Sequence, residues 1–156
     1  MKIKLLVMDV DGTLTDGRIY VGPNGEAMKA FDVKDGYAIA NMLPAVGIVP
    51  VIITGRKSSI VEYRARELKI TELHQGVSDK LAKLKEVAGK YGASPAEIAY
   101  IGDDLNDMEC MRWCGLPAAP ADAVKAAYDL AAFKCTQNGG RGAVREFADY
   151  LVKSAE

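Results

Sequence analysis

The sequence predicts an α/β fold built on a parallel sheet. Three short apolar runs without helical period alternate with amphipathic helical patterns, and each run ends in a polar turn. The runs are 4–10 (KLLVMDV), 49–54 (VPVIIT) and 98–101 (IAYI), the composition expected of strands buried on both faces. One segment breaks the alternation. Residues 18–21 and 26–31 flank Gly22-Pro23-Asn24-Gly25, a turn-forming tetrapeptide, and so predict a β-hairpin inserted after the first strand.

The helices follow from caps and periodicity. Asp35 is placed to cap a helix over about 36–45, and Ser58 or Ser59 opens SSIVEYRAREL, where Glu62 and Arg66 form a favourable i,i+4 pair. Residues 80–91 put Leu81, Leu84, Val87 and Ala88 on one face. Ser94-Pro95 then caps a short turn with proline at the first helical position. A last helix over about 143–152 follows the flexible loop Asn138-Gly139-Gly140-Arg141-Gly142.

The bulk properties narrow the class. The 156 residues (16.8 kDa) fit one domain, 1–156, and 49% hydrophobic with 26% charged residues excludes a disordered chain. A net charge of −1 from 20 basic and 21 acidic residues provides no field for nucleic acid or an anionic membrane, so an anionic ligand must be held by a metal or a few placed cations. No apolar run approaches the ~20 residues of a membrane span. The start is read as a strand rather than a signal peptide, since Asp9 and Asp11 follow at once and no small-residue cleavage site appears. Cys110, Cys114 and Cys135 form no CxxC pair, which suits reduced thiols in a cytoplasmic protein; Cys110 and Cys114, at helical spacing beside Met111 and Trp113, read as core. His74, the single histidine, reads as structural.

In open α/β sheets ligands bind beyond the carboxyl ends of the strands. Converging there are Asp9 and Asp11, Thr54, and Asp103, Asp104 and Asp107. Several carboxylates at one rim need a cation, and an oxygen-only donor set suits Mg²⁺. Asp9 is then the candidate nucleophile on phosphorus and Asp11 the candidate acid/base, while Thr54 offers a hydroxyl and Lys80 a point charge at a helix start. An EF-hand reading of Asp9-x-Asp11-Gly fails, because Leu14 and Tyr20 stand where a calcium loop needs other residues.

Asp9-Val10-Asp11-Gly12-Thr13, Thr54-Gly55-Arg56, Lys80 and Gly102-Asp103-Asp104 with Asp107 resemble, in order and over nearly the whole chain, the four motifs of the haloacid dehalogenase superfamily. The resemblance implies a Rossmann-like, doubly wound domain in which Asp9 is nucleophile, Asp11 acid/base, and Thr54 and Lys80 hold phosphate. Mg²⁺ would be ligated by Asp9, the Asp11 backbone carbonyl and Asp103, with Asp104 and Asp107 supporting.

Asp16-Gly17, the hairpin, Phe31-Asp32-Val33-Lys34-Asp35-Gly36, Lys57, Gln75-Gly76 and the run 139–146 (GGRGAVRE) are similar to the family of 3-deoxy-D-manno-octulosonate 8-phosphate phosphatases within that superfamily. This implies a fold without a cap domain and a homotetramer with the hairpins at its centre and active sites at subunit interfaces. It also implies a sugar-acid phosphate as substrate, in lipopolysaccharide precursor synthesis. The substrate contacts carried over are Asp32, Val33, Lys34, Asp35, Gly36, Gly55, Arg56, Arg64 and Lys80.

Two features depart from the pattern. Ala40 and Asn41 stand where some members carry a further arginine, and many members have a longer tail. Arg56 favours the eight-carbon acid, since the sister group acting on nine-carbon acids tends to have Glu there. The alternatives are a phosphatase of a nine-carbon or other sugar phosphate, and a non-enzymatic phosphoacceptor or oligomerisation domain. The hairpin and the Gly12-Thr13 turn speak against a phosphoacceptor, and the intact Asp9/Asp11 pair against a scaffold.

Overall fold

The three apolar runs become neighbours in one sheet. In the computed structural model, which describes residues 2–156, β1 (Leu5–Met8) pairs in parallel with β4 (Val49–Ile53) on one side and β6 (Ile98–Ile101) on the other. Three further strands complete a six-stranded parallel sheet: β5 (Glu72–His74), β7 (Leu116–Ala119) and β8 (Phe133–Lys134), in the order β5-β4-β1-β6-β7-β8. From β1 the chain first winds outward to β5, then returns to lay β6, β7 and β8 on the opposite side. The winding direction therefore reverses between β1 and β6, and a crevice opens beyond their carboxyl ends.

Alternation along the strands makes two apolar layers. Leu6, Met8, Ile52 and Ile101 face one side, packed by Val61 and Ala65 of α3 (Ser59–Glu67) and by Val144, Phe147 and Leu151 of α7 (Ala143–Ala155). Leu5, Val7, Val51, Ile53, Ile98 and Tyr100 face the other. There they meet Leu84 and Val87 of α4 (Lys80–Lys90), Cys110 and Met111 of α5 (Met108–Trp113) and Ala127 of α6 (Lys125–Leu130). Each large side chain buried this way stabilises the fold by roughly 1.5–3 kcal/mol. Burial pushes the Cys110 thiol up to about 12 and Cys114 to about 11, so both behave as small core hydrophobes.

Several boundaries differ from expectation. The helix after the hairpin is capped by Asp32, whose carboxylate accepts from the Lys34 and Asp35 N–H groups, and it starts as α1 (Val33–Tyr37) rather than at Gly36. Asp35 is instead buried in its first turn and accepts the Arg145 N–H at 2.9 Å. The helix runs through a π turn over Ala38–Met42 into α2 (Leu43–Ala45). Pro44 has no N–H to donate and crowds the preceding turn, and the Leu43 N–H reaches back to Ala38 O in the π pattern. The hairpin strands are shorter than expected, β2 (Tyr20–Gly22) and β3 (Gly25–Met28), and among the described residues they pair only with each other. His74 is held as a structural residue: its Nε2 lies 3.0 Å from the buried Glu72 carboxylate, which also accepts from Lys90 and Tyr91. No helix among the described residues is long and apolar enough to cross a membrane.

Candidate active site

The carboxyl ends of β1 and β6 deliver Asp9 and Asp103 to the crevice, and the first turn of α4 delivers Lys80 beneath them. Ligand oxygens of Asp9, Asp103 and Asp107 lie within 4.8 Å of one another. Lys80, almost wholly buried, places its ammonium 3.0 Å from Asp9 Oδ1 and 2.9 Å from Asp107 Oδ1. Asp107 is the anchor of this group. Its Oδ1 also accepts the Tyr100 hydroxyl at 2.6 Å, and its Oδ2 accepts the N–H groups of Asp103 and Asp104, fixing the loop after β6.

The loop after β1 fits against this cluster only because of its glycine. Gly12 has φ +89°, and a Cβ there would stand 1.9 Å from Asp103 Oδ2. The same loop is backed by the run before α7. A Cβ on Gly139 would stand 2.0 Å from Gly12 O, and the Gly140 N–H donates to Thr13 O at 3.0 Å. The glycine-rich run 139–142 is therefore a wall behind the nucleophile loop rather than a free flap.

Crowding shows in the acidities. Burial and the nearby Asp107 charge push Asp9 up to about 6, although Lys80 opposes this. Burial, Asp9 and Asp107 push Asp103 up to about 8. Lys80 would be pulled down by burial, but its two carboxylate partners more than offset this and hold it above the usual lysine range. Clustered oxygen donors that resist ionising together are the donor set of a hard divalent cation.

Asp9, Asp11, Thr54, Gly55 and Arg56 line one cleft with Asp104 and Asn106. Thr54 is held by backbone bonds to His74 O and from Val77 N–H, so the edge strand β5 sets its position. The segment 32–36 and Arg64 do not reach this cleft within one chain. Asp32, Asp35, Gly36 and Arg64 line a separate pocket with Phe31, where the Arg64 guanidinium sits 5.5 Å from the Phe31 ring centroid. Val33 is 81% exposed, and Lys34 borders a third cleft beside Arg141 and Arg145.

Residues 58–147 match the family of haloacid dehalogenase-like hydrolases. The chain is 47% identical over 150 residues to the 3-deoxy-D-manno-octulosonate 8-phosphate phosphatase of Escherichia coli (strain K12), covering 96% of this chain and 79% of that protein. This chain belongs to the haloacid dehalogenase-like hydrolases. Among solved structures it is similar to the 3-deoxy-D-manno-octulosonate 8-phosphate phosphatase of Yersinia pestis, with TM-score 0.93 and 46% identity over 98% of this chain and 82% of that one. It is likewise similar to that of Moraxella catarrhalis, solved in complex with a magnesium ion, a phosphate ion and a KDO molecule, with TM-score 0.93 and 40% identity over 97% and 87%.

In this haloacid dehalogenase-like site one polar residue lay outside the sequence reading. Lys29, just past β3, is 1% exposed in its side chain, and its ammonium lies 2.6 Å from Asp11 Oδ1 and 3.0 Å from Glu26 Oε2. The available signal was weak: a lysine three residues after a glutamate at the end of a hairpin.

Proposed function

We propose that the chain, as a single domain over 1–156, is an Mg²⁺-dependent phosphatase that hydrolyses 3-deoxy-D-manno-octulosonate 8-phosphate to the free sugar acid and phosphate. The observation that carries this reading is the convergence of Asp9, Asp103 and Lys80 at the winding reversal of a sheet shared with solved phosphatases at 40–46% identity. Asp9, Asp103 and the Asp11 backbone carbonyl would hold Mg²⁺, which when bound supplies the charge that offsets the crowded carboxylates and the phosphoryl oxygens.

The protein's own groups perform the steps. A carboxylate oxygen of Asp9 attacks phosphorus as the bond to the sugar oxygen breaks, giving an aspartyl-phosphate. Asp11 donates a proton to the leaving oxygen, then takes one from the water that attacks the phosphorus and frees Asp9. Lys80 and Thr54 hold the phosphoryl oxygens. Arg56, half-exposed and 3.9 Å from Asp11 Oδ2, suits the sugar-acid carboxylate.

Asp32, Val33, Lys34 and Arg64 enter the reading as contacts to substrate held by a neighbouring subunit, since they lie away from the Asp9 cleft of their own chain, whereas Asp35 and Gly36 are buried and support that segment from within rather than touching substrate. A homotetramer joined through the hairpins accommodates this, and Ile19, Val21 (74% exposed) and Met28 offer the apolar surface. The compartment would be the cytoplasm.

Phosphate release by purified protein with Mg²⁺, measured on a panel of sugar phosphates, tests the assignment. The expected result is strong preference for the eight-carbon acid phosphate. Equal or better turnover of a nine-carbon acid phosphate would reassign the substrate, and no turnover on any member would contradict the reading. Light scattering at working concentration is expected to give a tetramer mass, and a monomer mass would remove the shared site.

A further inference from the structure

The hairpin does more than present an outer surface. Its return strand carries Glu26 and leads into Lys29, and the Lys29 ammonium is enclosed between two carboxylates, Asp11 Oδ1 at 2.6 Å and Glu26 Oε2 at 3.0 Å. Glu26 is fixed in turn, because its Oε1 accepts the Ser58 hydroxyl at 2.6 Å and Ser58 caps α3. The other Asp11 oxygen, Oδ2, faces only the loosely placed Arg56, 3.9 Å away and 54% exposed. A cation so buried is held by its partners alone, and removing it leaves Asp11 with no close donor on Oδ1.

We propose that Lys29 is a positioning residue for Asp11, gripping Oδ1 so that Oδ2 is the oxygen that exchanges the proton with the leaving group. Glu26 matters as the counter-ion: its negative charge balances that of Lys29, so the pair acts as a fixed hydrogen-bond donor with little net charge. The hairpin thus serves its own chain's active site through Lys29. As the bond from phosphorus to the sugar oxygen breaks, the electron pair stays on that oxygen and the proton comes from Asp11 Oδ2; the reverse transfer, from water to Oδ2, accompanies hydrolysis of the aspartyl-phosphate. This inference rests on the phosphatase reading above.

Leaving-group chemistry separates positioning from structural damage. A sugar alkoxide needs a proton to depart, whereas p-nitrophenolate departs without one. The full chain with Mg²⁺ is assayed for kcat/KM on 3-deoxy-D-manno-octulosonate 8-phosphate and on p-nitrophenyl phosphate, as wild type, Lys29→Met and Lys29→Arg. Lys29→Met is expected to lose on the order of 10²-fold on the sugar phosphate but less than about threefold on p-nitrophenyl phosphate. Lys29→Arg, which keeps the donor, is expected to recover much of the sugar-phosphate activity and none of the aryl selectivity. Losses equal on both substrates, including those of a variant that fails to fold, overturn the proposal, as does no loss on either. A wild-type protein inactive on both would instead remove the phosphatase reading, and the role of Lys29 with it.

Discussion

Asp9→Asn is expected to abolish turnover, by on the order of 10⁴-fold or more, while leaving the metal-free protein at least as stable as wild type. The amide has nearly the same shape and cannot attack phosphorus. It also removes one negative charge from the cluster of Asp9, Asp103 and Asp107, in which one buried cation, Lys80, pairs with Asp9 and Asp107. Asp9 is 5% exposed and its carboxyl is already pushed up to about 6, so replacing it with a neutral group relieves a cost of burial. Turnover assays beside thermal melts in chelator check both halves. A variant that loses activity only in proportion to lost structure would assign Asp9 a packing role.

Lys80→Met should have the opposite balance: a large loss of stability in addition to a loss of rate. Methionine keeps the volume of the stem but leaves Asp9 and Asp107 without their shared cation. Removing one partner of a buried ion pair costs about 3–5 kcal/mol, and removing one transition-state donor costs about 10²–10³ in kcat. The pH dependence fixes the cause. Asp9 and Asp103 titrate at about 6 and about 8 in the folded chain, above the 3.8 of a free aspartate, so between roughly pH 4 and 8 the folded state binds more protons than the unfolded one. Stability of the metal-free protein therefore falls as pH rises through this window. Without Lys80 the Asp9 carboxyl moves further up and the fall deepens. Urea unfolding in chelator should show a larger wild-type-to-variant gap at pH 8 than at pH 5, and equal gaps would contradict the charge argument.

Which parts of this were legible in the sequence follows from physical causes. β1, β4 and β6 are central strands, buried on both faces, and so are written as uninterrupted apolar runs whose ends carry Asp9, Thr54 and Asp103. The other strands carry no such mark. β5 is an edge strand with Glu72 and His74 satisfied by Lys90, Tyr91 and each other, β7 carries Pro117 between Leu116 and Ala118, and β8 has two residues. As cap candidates Asp32 and Asp35 are chemically alike in the sequence; in the fold Asp32 accepts the Lys34 and Asp35 N–H groups while Asp35 is drawn inward by the tertiary bond from Arg145. Lys29 was hidden for a related reason. Its partner Asp11 is 18 residues away, and the contact exists only because the hairpin folds back over the strand ends.

If a phosphoryl group passes through Asp9, it can be caught there during turnover. Wild-type protein with Mg²⁺ and substrate is quenched in acid during turnover and digested, and the peptide containing Asp9 is weighed. The expected result is a phosphoryl adduct on Asp9 that hydroxylamine removes and that Asp9→Asn lacks. Sustained phosphate release with no adduct on Asp9 at any quench time would contradict it, as would an adduct that forms and persists without release.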